Sequence, residues 1–281
     1  MKKEYLQKIT NEDLNEFIEM LKSVNIQFDE NKFRSIAINT IKYINGNKDT
    51  RNELRHIQEL ENKWYASLET DKADYSVYDD VYYLADTWVC WKLYSRQYLK
   101  RIIDSRSMAL KTAQGYTDMK SIVQYVGNIS KAVDLGCGIG YSTASMKQIF
   151  NCNIYGTNLK NTNQYKICEM LSKKADFILT DDITTIGQVD LIFASEYFEH
   201  FERPVEHLTE IYEQLRPKYI LFANTFNAKS IGHFNIYKHL NQDYTGLQMS
   251  RLFTKQLKAL NYKKVKTNCW NNRPNFYEYV K

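Results

Sequence analysis

Hydrophobic residues recur at helical spacing through the first third of the chain. Phe17, Met20, Leu21 and Val24 repeat at steps of three and four residues, as the buried face of an amphipathic helix does. A second register of this kind is longer and consists of Leu84, Trp88, Trp91, Ser95, Tyr98 and Ile102. The pattern predicts a helical accessory domain over residues 1–110.

The second register places aromatic side chains on one face of its helix, and two interpretations are open. In the first interpretation, Trp88, Trp91 and Tyr98 only pack the accessory helices on the rest of the chain. In the second, some of them line the pocket of a substrate as a lid, together with Tyr82 and Tyr83.

From Lys131 the pattern changes to short apolar runs that alternate with amphipathic stretches, which is typical of βαβ units on a parallel sheet. The predicted strands are 132–135, 153–156, 176–179, 189–194 and 219–224. The predicted helices between them are 142–150, 162–173 and 204–215. A loop containing Gly232 and Gly246, a helix near 252–260, and strands at 263–268 and 276–280 with a turn at 271–274 complete the pattern. Residues 111–281 are therefore expected to form one α/β domain.

Composition narrows the class of protein. Of the 281 residues, 43% are hydrophobic and 25% are charged, and no stretch approaches the length of about eighteen apolar residues that a membrane span needs. The basic N-terminus leads into Asn11-Glu12-Asp13 rather than an apolar segment, so it shows no secretory signal pattern. Five cysteines without a C-x-x-C pair favour reduced thiols over disulfides or a thiolate zinc site. We therefore expect a cytoplasmic protein without a membrane partner.

The net charge of +5 is unevenly distributed along the chain. Residues from Arg216 to the end carry 12 basic and two acidic side chains, a net charge of +10. This excess indicates either a polyanionic partner such as a nucleic acid or an ordinary solvated lysine-rich face.

A glycine-rich loop, Asp134-Leu135-Gly136-Cys137-Gly138-Ile139-Gly140, ends the first strand of the α/β part and opens a helix. Glycines allow a tight turn and a close approach of a ligand to the backbone, and the helix N-terminus presents free N–H groups. The carboxylate of Asp134 suits a cationic ligand such as a methionine ammonium better than a pyrophosphate. Residue 141 is tyrosine, whereas the dinucleotide-binding pattern G-x-G-x-x-G ends on glycine.

The string D-L-G-C-G-I-G resembles motif I of the class I S-adenosylmethionine-dependent methyltransferases, and the strand series over about residues 125–281 resembles the rest of that domain. The resemblance implies a Rossmann-like, doubly wound sheet of seven strands with a C-terminal antiparallel hairpin. It also implies S-adenosylmethionine as the methyl donor and S-adenosylhomocysteine as the product.

The same resemblance implies the cofactor contacts. Asp134 and the backbone of Gly136, Cys137, Gly138 and Gly140 would hold the methionine and ribose end. Asn158 stands where most members carry an acidic ribose ligand, a departure shared by the cyclopropane-synthase branch, whose G-x-T-L-S-x-N-Q run resembles residues 156–164. Asp181 or, better aligned, Asp182 would accept a hydrogen bond from the adenine amino group. Ser195, at the end of the fourth strand, completes the predicted cofactor-binding set.

Three titratable side chains follow the fourth strand within five residues. At the carboxyl edge of an open sheet, Glu196, Glu199 and His200 can act as a general base for the methyl acceptor or as ligands of a divalent metal. The structural alternative is that Glu199 serves only as a cap for backbone groups or as a partner in an ion pair, and that His200 is only packed in the interior.

The E-x-x-E-H string of residues 196–200 is similar to that of ubiquinone-type O-methyltransferases and of small-RNA 3′-end 2′-O-methyltransferases, which bind a metal with it and a further histidine. His233 and His239 are candidates for that histidine, although Gln248 and Met249 occupy the region where those families carry it. F-E-H-F at residues 198–201 is instead similar to the cyclopropane-synthase branch, which uses no metal there. We predict Glu196, Glu199, His200 and His233 as catalytic residues and do not favour a metal.

The acceptor is narrowed by motifs that the chain lacks. It has neither the D/N/S-P-P-Y/F turn of amino-methylating DNA enzymes nor the Pro-Cys dipeptide of cytosine C5 enzymes. The leading prediction is a small molecule or natural-product intermediate bound between the helical domain and residues 196–200. The alternatives are a nucleic-acid hydroxyl, favoured by the basic C-terminal third, a peptide or protein, and a cofactor-binding module without catalysis.

Overall fold

The structure is a computed structural model that describes residues 9–70, 72–104, 108–112, 115–267 and 274–281. Most of the predicted turn at 271–274 and the last residue of the predicted strand 263–268 lie outside these ranges. Tyr98 is described by its backbone alone.

The N-terminal part is helical, as predicted. Its helices are α1 (Asn11–Ser23), α2 (Glu30–Ile44), α3 (Arg55–Leu68) and α4 (Val81–Asp104), with 3₁₀ turns at Lys48–Leu54 and Tyr75–Asp79. Thr10 begins α1 through a capping box with Asp13, so two otherwise unpaired backbone N–H groups are satisfied. The two predicted registers meet in the core, because Phe17 of α1 stacks on Trp88 of α4 with ring centroids 5.1 Å apart.

A mixed α/β unit follows. Its strands are β1 (Met108–Thr112), β2 (Gly115–Lys120), β3 (Lys131–Leu135), β4 (Asn153–Thr157), β5 (Ile178–Thr180), β6 (Leu191–Ser195), β7 (Tyr219–Ala223), β8 (Ile236–His239), β9 (Gln242–Thr245), β10 (Tyr262–Val265) and β11 (Asn275–Tyr279). Its helices are α5 (Ile122–Val126), α6 (Tyr141–Phe150), α7 (Asn163–Ala175), α8 (Pro204–Leu215) and α9 (Gly246–Ala259).

Among the described residues, seven strands form the central sheet in the order β10-β11-β7-β6-β3-β4-β5. The strands β3 to β7 pair in parallel, whereas β11 runs antiparallel to both of its neighbours. The predicted doubly wound sheet with a C-terminal antiparallel hairpin is therefore confirmed. The chain order reverses between the adjacent strands β3 and β6, and such a switch point is where open α/β sheets bind ligands at the carboxyl ends of their strands.

Two hairpins were not predicted. The pair β1–β2 spans the predicted domain boundary at residues 110 and 111, and β8–β9 occupies part of the predicted loop after residue 224. Leu240 and Asn241 turn between β8 and β9 with φ of 47° and 62°, a conformation that is usually signalled by Asn-Gly. Helix α9 begins earlier than expected, since Thr245 and Gln248 form a capping box ahead of it.

The accessory helices share a core with the α/β unit over the carboxyl edge of the sheet. Trp64 of α3 is fully buried and donates its indole N–H to the carbonyl of His233 at 2.7 Å. Trp88 donates to the hydroxyl of Tyr141, the first residue of α6, at 3.1 Å. None of the described helices combines the length and the apolar character needed to cross a bilayer.

Candidate active site

The glycine loop between β3 and α6 has left-handed backbone at every glycine, with φ of 63° at Gly136, 56° at Gly138 and 91° at Gly140. A Cβ would collide with the ring of Tyr197 at Gly136 and would stand 2.7 Å from the ring of Trp91 at Gly138. At Gly140 it would meet buried side chains of the domain core instead. The first two glycines therefore allow the rings of Tyr197 and Trp91, which border a large cavity, to pack directly on the loop, whereas the third serves packing in the domain core.

Asp134, at the end of β3, anchors the start of α6. It is 1% exposed, and one of its carboxylate oxygens accepts hydrogen bonds from the hydroxyls of Ser142 and Thr143 at 2.5 and 2.7 Å. Burial raises the pKa of Asp134 to about 6, although the two hydroxyls act in the opposite direction. The carboxyl of Asp134 also borders a large cavity at this edge of the sheet, and a cation bound there would favour the ionised form of the carboxyl.

Asn158, at the predicted ribose position, is tied to the glycine loop. Its side-chain N–H donates to the carbonyl of Gly138 at 2.6 Å, and its side-chain oxygen accepts from the backbone N–H of Leu159 at 2.8 Å. A carboxylate at this position could not donate to Gly138. The amide thus replaces the usual acidic residue with a group that holds the loop.

The predicted adenine contacts lie after β5. Asp182 accepts hydrogen bonds from the backbone N–H and the hydroxyl of Thr184, at 2.8 and 2.7 Å, and these bonds lower its pKa. Asp181 lies 3.7 Å from the ammonium of Lys160. Both carboxylates border the same cavity as Asp134 and Ser195, so the cofactor residues predicted on four separate segments converge.

This cavity has a volume of about 1390 Å³. All the predicted site residues border it except Gly140 and Glu199. A typical small-molecule pocket encloses roughly 300–1,000 Å³, so the cavity has room for a cofactor and a second molecule.

Aromatic side chains of the accessory helices roof the cavity. Tyr83 and Trp91 of the predicted lid border it, whereas Tyr82 and Trp88 do not. The roof also contains residues that no sequence motif indicated: Tyr43, Tyr75, Tyr78 and Tyr94. Trp88 therefore packs the accessory helices, whereas Tyr83 and Trp91 border the cavity, and their role as a lid over an acceptor stays a prediction.

Glu196, Glu199 and His233 form a compact cluster beneath this roof. One oxygen of each carboxylate and one ring nitrogen of His233 all lie within 4.8 Å of one another. Glu196 has a left-handed backbone with φ of 51°, a conformation that costs a non-glycine residue roughly 1–3 kcal/mol and recurs at functional sites. The turn after β6 thus holds strain that directs a carboxylate towards the cavity.

Glu199 is completely buried. One carboxylate oxygen accepts the backbone N–H of Thr225 at 2.7 Å, while the other meets no hydrogen-bond partner within the described part of the chain. Burial and the neighbouring Glu196 raise the pKa of Glu199 well above its ordinary value. The two carboxyls therefore favour a shared proton or a bound cation at neutral pH.

The two histidines of the site have different environments. His233 donates from Nδ1 to the carbonyl of Ala228 at 2.9 Å, which leaves the lone pair on Nε2, and burial lowers its pKa. Nδ1 of His200 lies 2.8 Å from the hydroxyl of Tyr78, and burial together with His233 lowers the pKa of His200 to about 3. Both rings are therefore neutral at physiological pH.

Tyr78, which precedes α4, contacts His200 of the site, and Gly232 leaves space for the Tyr78 side chain. Gly232 has φ of 85°, and a Cβ there would collide with the hydroxyl oxygen of Tyr78. Isolated tyrosines carry no motif, so only the glycine beside His233 could have signalled this contact. His239, the other candidate histidine, lies 3.0 Å from Glu206 and is not part of the Glu196, Glu199 and His233 cluster.

Residues 133–223 match a family model described as a methyltransferase domain. A search of curated proteins finds no significant match. Similar solved structures include the N-terminal domain of EvdMO1 with SAH bound, at 13% identity over 54% of this chain and 75% of that one, with a TM-score of 0.39. The methyltransferase domain of bacterial CtHen1-C is 15% identical over 57% of this chain and 94% of that one, with a TM-score of 0.40. The StiE O-MT is 14% identical over 49% of this chain and 46% of that one, with a TM-score of 0.35.

The matched segment runs from β3 to β7 and contains the glycine loop, the switch point and the Glu196–His200 turn. Residues 133–223 therefore form a methyltransferase domain, and S-adenosylmethionine is its cofactor.

Proposed function

We propose that this enzyme methylates a small molecule held between the accessory helices and the carboxyl edge of the sheet. The observation that carries the proposal is the cavity, because it extends without a break from the glycine loop to the roof formed by α2, α3 and α4. Pockets of this shape hold small ligands, and the tight packing of the roof on the α/β unit excludes water from the reaction.

The residues around the glycine loop fit the cofactor. The rings of Tyr197 and Trp91, which pack on Gly136 and Gly138, border the cavity and offer apolar surface to a methionine moiety, and Asp134 offers a carboxyl to its ammonium. Asp182 offers an acceptor to the adenine amino group. When bound, S-adenosylmethionine supplies a methyl group activated by its sulfonium. The protein then has to align the acceptor atom with that methyl group and remove the acceptor's proton.

We assign the proton transfer to His233. Its Nε2 carries a lone pair, and the lowered pKa keeps the ring neutral at physiological pH. The proton on the acceptor's oxygen or nitrogen would pass to Nε2, while the bound cofactor would give up its methyl group and leave as S-adenosylhomocysteine. Glu196 and Glu199 lie within 4.8 Å and stabilise the imidazolium that forms. His200, hydrogen-bonded to Tyr78, holds the ring of His233, since the two rings meet edge to face with centroids 4.9 Å apart.

A second candidate role for the cluster is binding of a divalent cation by Glu196, Glu199 and His233. The proximity of their ligand atoms favours it, as does the Nδ1–H bond to Ala228, since metal-binding histidines are commonly oriented in this way. Equilibrium dialysis with Mn²⁺ tests this role without any acceptor. Binding by the wild type that Glu199→Gln abolishes supports it, and no binding by the wild type excludes it.

The charges of the chain favour a small molecule over a nucleic acid. The cavity is bordered by six acidic side chains, Glu61, Asp86, Asp134, Asp181, Asp182 and Glu196, and a phosphate backbone would be repelled there. Part of the basic C-terminal excess lies on β10, where Lys263 and Lys264 are exposed on an edge strand of the sheet. Lysines on an edge strand commonly prevent aggregation, so they need no polyanionic partner.

Two measurements test the proposal. Calorimetry with S-adenosylhomocysteine should show a single site, and a panel of small molecules, RNA, DNA and peptides should identify the acceptor through transfer of a labelled methyl group. The salt dependence of acceptor binding then distinguishes a small molecule from a nucleic acid. Between about 50 and 200 mM NaCl the KM of a small acceptor should change little, whereas a nucleic acid would lose roughly 10³-fold or more in affinity. Transfer confined to RNA, with that steep dependence, would overturn the proposal.

A further inference from the structure

The part of the cavity that is bordered by residues of α2, α3 and α4 is called here the Asp86 subsite. It is bordered by Tyr43, Ile57, Glu61, Tyr83, Asp86 and Cys90. Asp86 accepts a hydrogen bond from the hydroxyl of Thr40 at 2.8 Å. This carboxyl lies deep in the protein but borders the cavity, so its remaining accessible surface faces the compartment.

The Asp86 subsite is acidic, and none of the described residues assigned to it is a lysine or an arginine. Burial raises the pKa of Asp86, and its charge also raises the pKa values of Tyr83 and Cys90 beside it. Among the described residues that border the whole cavity, Lys229 is the only lysine or arginine. Lys229 lies 5.9 Å from the centre of the Tyr65 ring, and no ion pair joins it to Asp86 among the described residues. A buried carboxylate that served only the fold would ordinarily be paired with a cation, because an unpaired charge is costly to bury.

Aromatic rings border the same cavity as this carboxyl. Tyr43 and Tyr83 border the Asp86 subsite, and Trp91 and Tyr94 follow on the next turns of α4. The faces of such rings attract cations, and their apolar bodies accept a hydrocarbon or aromatic skeleton. A carboxylate among aromatic rings is the combination that recognises an ammonium group on an apolar body.

The subsite and the transfer cluster belong to one cavity, since Asp86, Cys90 and Glu196 all border it. Burial raises the pKa of the Cys90 thiol, and the charges of Asp86 and Glu196 both add to this effect. A ligand whose ammonium meets Asp86 can therefore extend its other end towards Glu196 and His233.

We propose that Asp86 binds the ammonium group of the methyl acceptor, and that the acceptor class is a primary or secondary amine with an aromatic or apolar body. This inference rests on the proposed small-molecule function. It specifies the acceptor by charge, and it assigns Asp86 as the residue that determines specificity.

Binding of two matched probes tests it without knowledge of the natural acceptor. Tyramine and tyrosol share a phenol and a two-carbon arm, but tyramine ends in an ammonium and tyrosol in a hydroxyl. Titration calorimetry of each probe against the protein saturated with S-adenosylhomocysteine should show tyramine binding at least about 10-fold more tightly, as expected for a desolvated ion pair. Asp86→Asn should remove that preference and leave the affinity for tyrosol unchanged.

Glu59→Gln is the control variant, since it makes the same change of charge on an exposed position of α3 outside the cavity. It should keep the wild-type preference. Retained affinity for S-adenosylhomocysteine shows that Asp86→Asn is folded. If that variant does not fold, the difference in affinity between the two probes for the wild-type protein still tests the inference. Equal affinities of the wild type for both probes, or a preference unchanged in Asp86→Asn, would overturn the inference. Absence of S-adenosylhomocysteine binding by the wild type would instead contradict the cofactor site, so the two failures are distinguishable.

Discussion

The indole ring of Trp91 lies against Gly138 so closely that a Cβ on the glycine would stand 2.7 Å from Cε2 and 3.0 Å from Nε1. Trp91 belongs to helix α4, whereas Gly138 is the central glycine of the cofactor loop. The accessory helices are thus packed directly on the loop that we propose binds S-adenosylmethionine. Any change at either residue should therefore be felt in cofactor affinity.

Gly138→Val should lower the affinity for S-adenosylhomocysteine by about 100-fold or more, since a branched side chain is strained at φ of 56° and collides with Trp91. Calorimetry measures the loss. The double variant Gly138→Ala with Trp91→Ala should recover part of the affinity that Gly138→Ala alone loses, because the ring that the new methyl group meets is gone. Unchanged affinity in Gly138→Val would contradict the role of the loop.

Asn158→Asp should weaken S-adenosylhomocysteine binding by about 10-fold, although most class I enzymes carry an acidic residue at this position. The carboxylate cannot donate to the carbonyl of Gly138 and repels it, so the loop loses the contact that the amide makes at 2.6 Å. Asn158→Ala removes the contact without the repulsion and should bind with intermediate affinity. Tighter binding by Asn158→Asp would mean that the residue contacts the ribose rather than the loop.

Glu199→Gln should reduce the rate of methyl transfer by roughly 100-fold, because glutamine cannot share a proton with Glu196, and the pair can then no longer place its negative charge beside the imidazolium of His233. The affinity for S-adenosylhomocysteine should stay the same, since Glu199 does not border the cavity. Single-turnover transfer to the acceptor found by the panel measures the rate. Glu202→Gln is the control, because Glu202 is paired with Lys238 at 2.8 Å outside the cluster. An undiminished rate would make Glu199 a purely structural residue.

Stability should fall in acid partly because of His200. The unfolded chain protonates this histidine near its ordinary pKa of 6.5, whereas the folded protein does so only near pH 3, so the unfolded state binds more protons between these values. The group contributes up to about 1.4 kcal/mol of lost stability for each pH unit below the pKa of the unfolded histidine. Urea unfolding between about pH 4.5 and 7.5 should show a steeper decline in the wild type than in His200→Asn. Parallel curves would show that the ring is not held neutral.

Much of the α/β part could be read from the sequence. Helix α8 was predicted at its observed bounds, because Pro204 can occupy a first helical turn and Pro217 follows the end of the helix. The hairpin β8–β9 was missed, since Leu240 and Asn241 adopt a turn that local preference disfavours and tertiary contacts impose. The start of α9 was missed for a simpler reason, because the capping box of Thr245 and Gln248 was overlooked.

Some residues of the candidate site could likewise be predicted from the sequence, and others could not. Glu196, Glu199 and His200 were found because they follow one strand within five residues, and that order survives in the fold. Tyr78 and Asp86 were missed, because their roles come from contacts with residues far away along the chain. Tyr78 meets His200, 122 positions later, and Asp86 meets Thr40, 46 positions earlier.

The sequence by itself determined the strands and the glycine loop, and through the resemblance of that loop to motif I it predicted the class of enzyme and the place of its cofactor. Strand periodicity, the glycines of residues 136–140 and the carboxylate of Asp134 are local properties that require no knowledge of distant contacts. Only the tertiary structure decided which aromatic residues of α4 face the cavity, which histidine joins Glu196 and Glu199, and where an acidic compartment opens for a second molecule. Those features depend on how the accessory helices dock on the sheet, and docking joins residues whose separation along the chain leaves no pattern in the sequence.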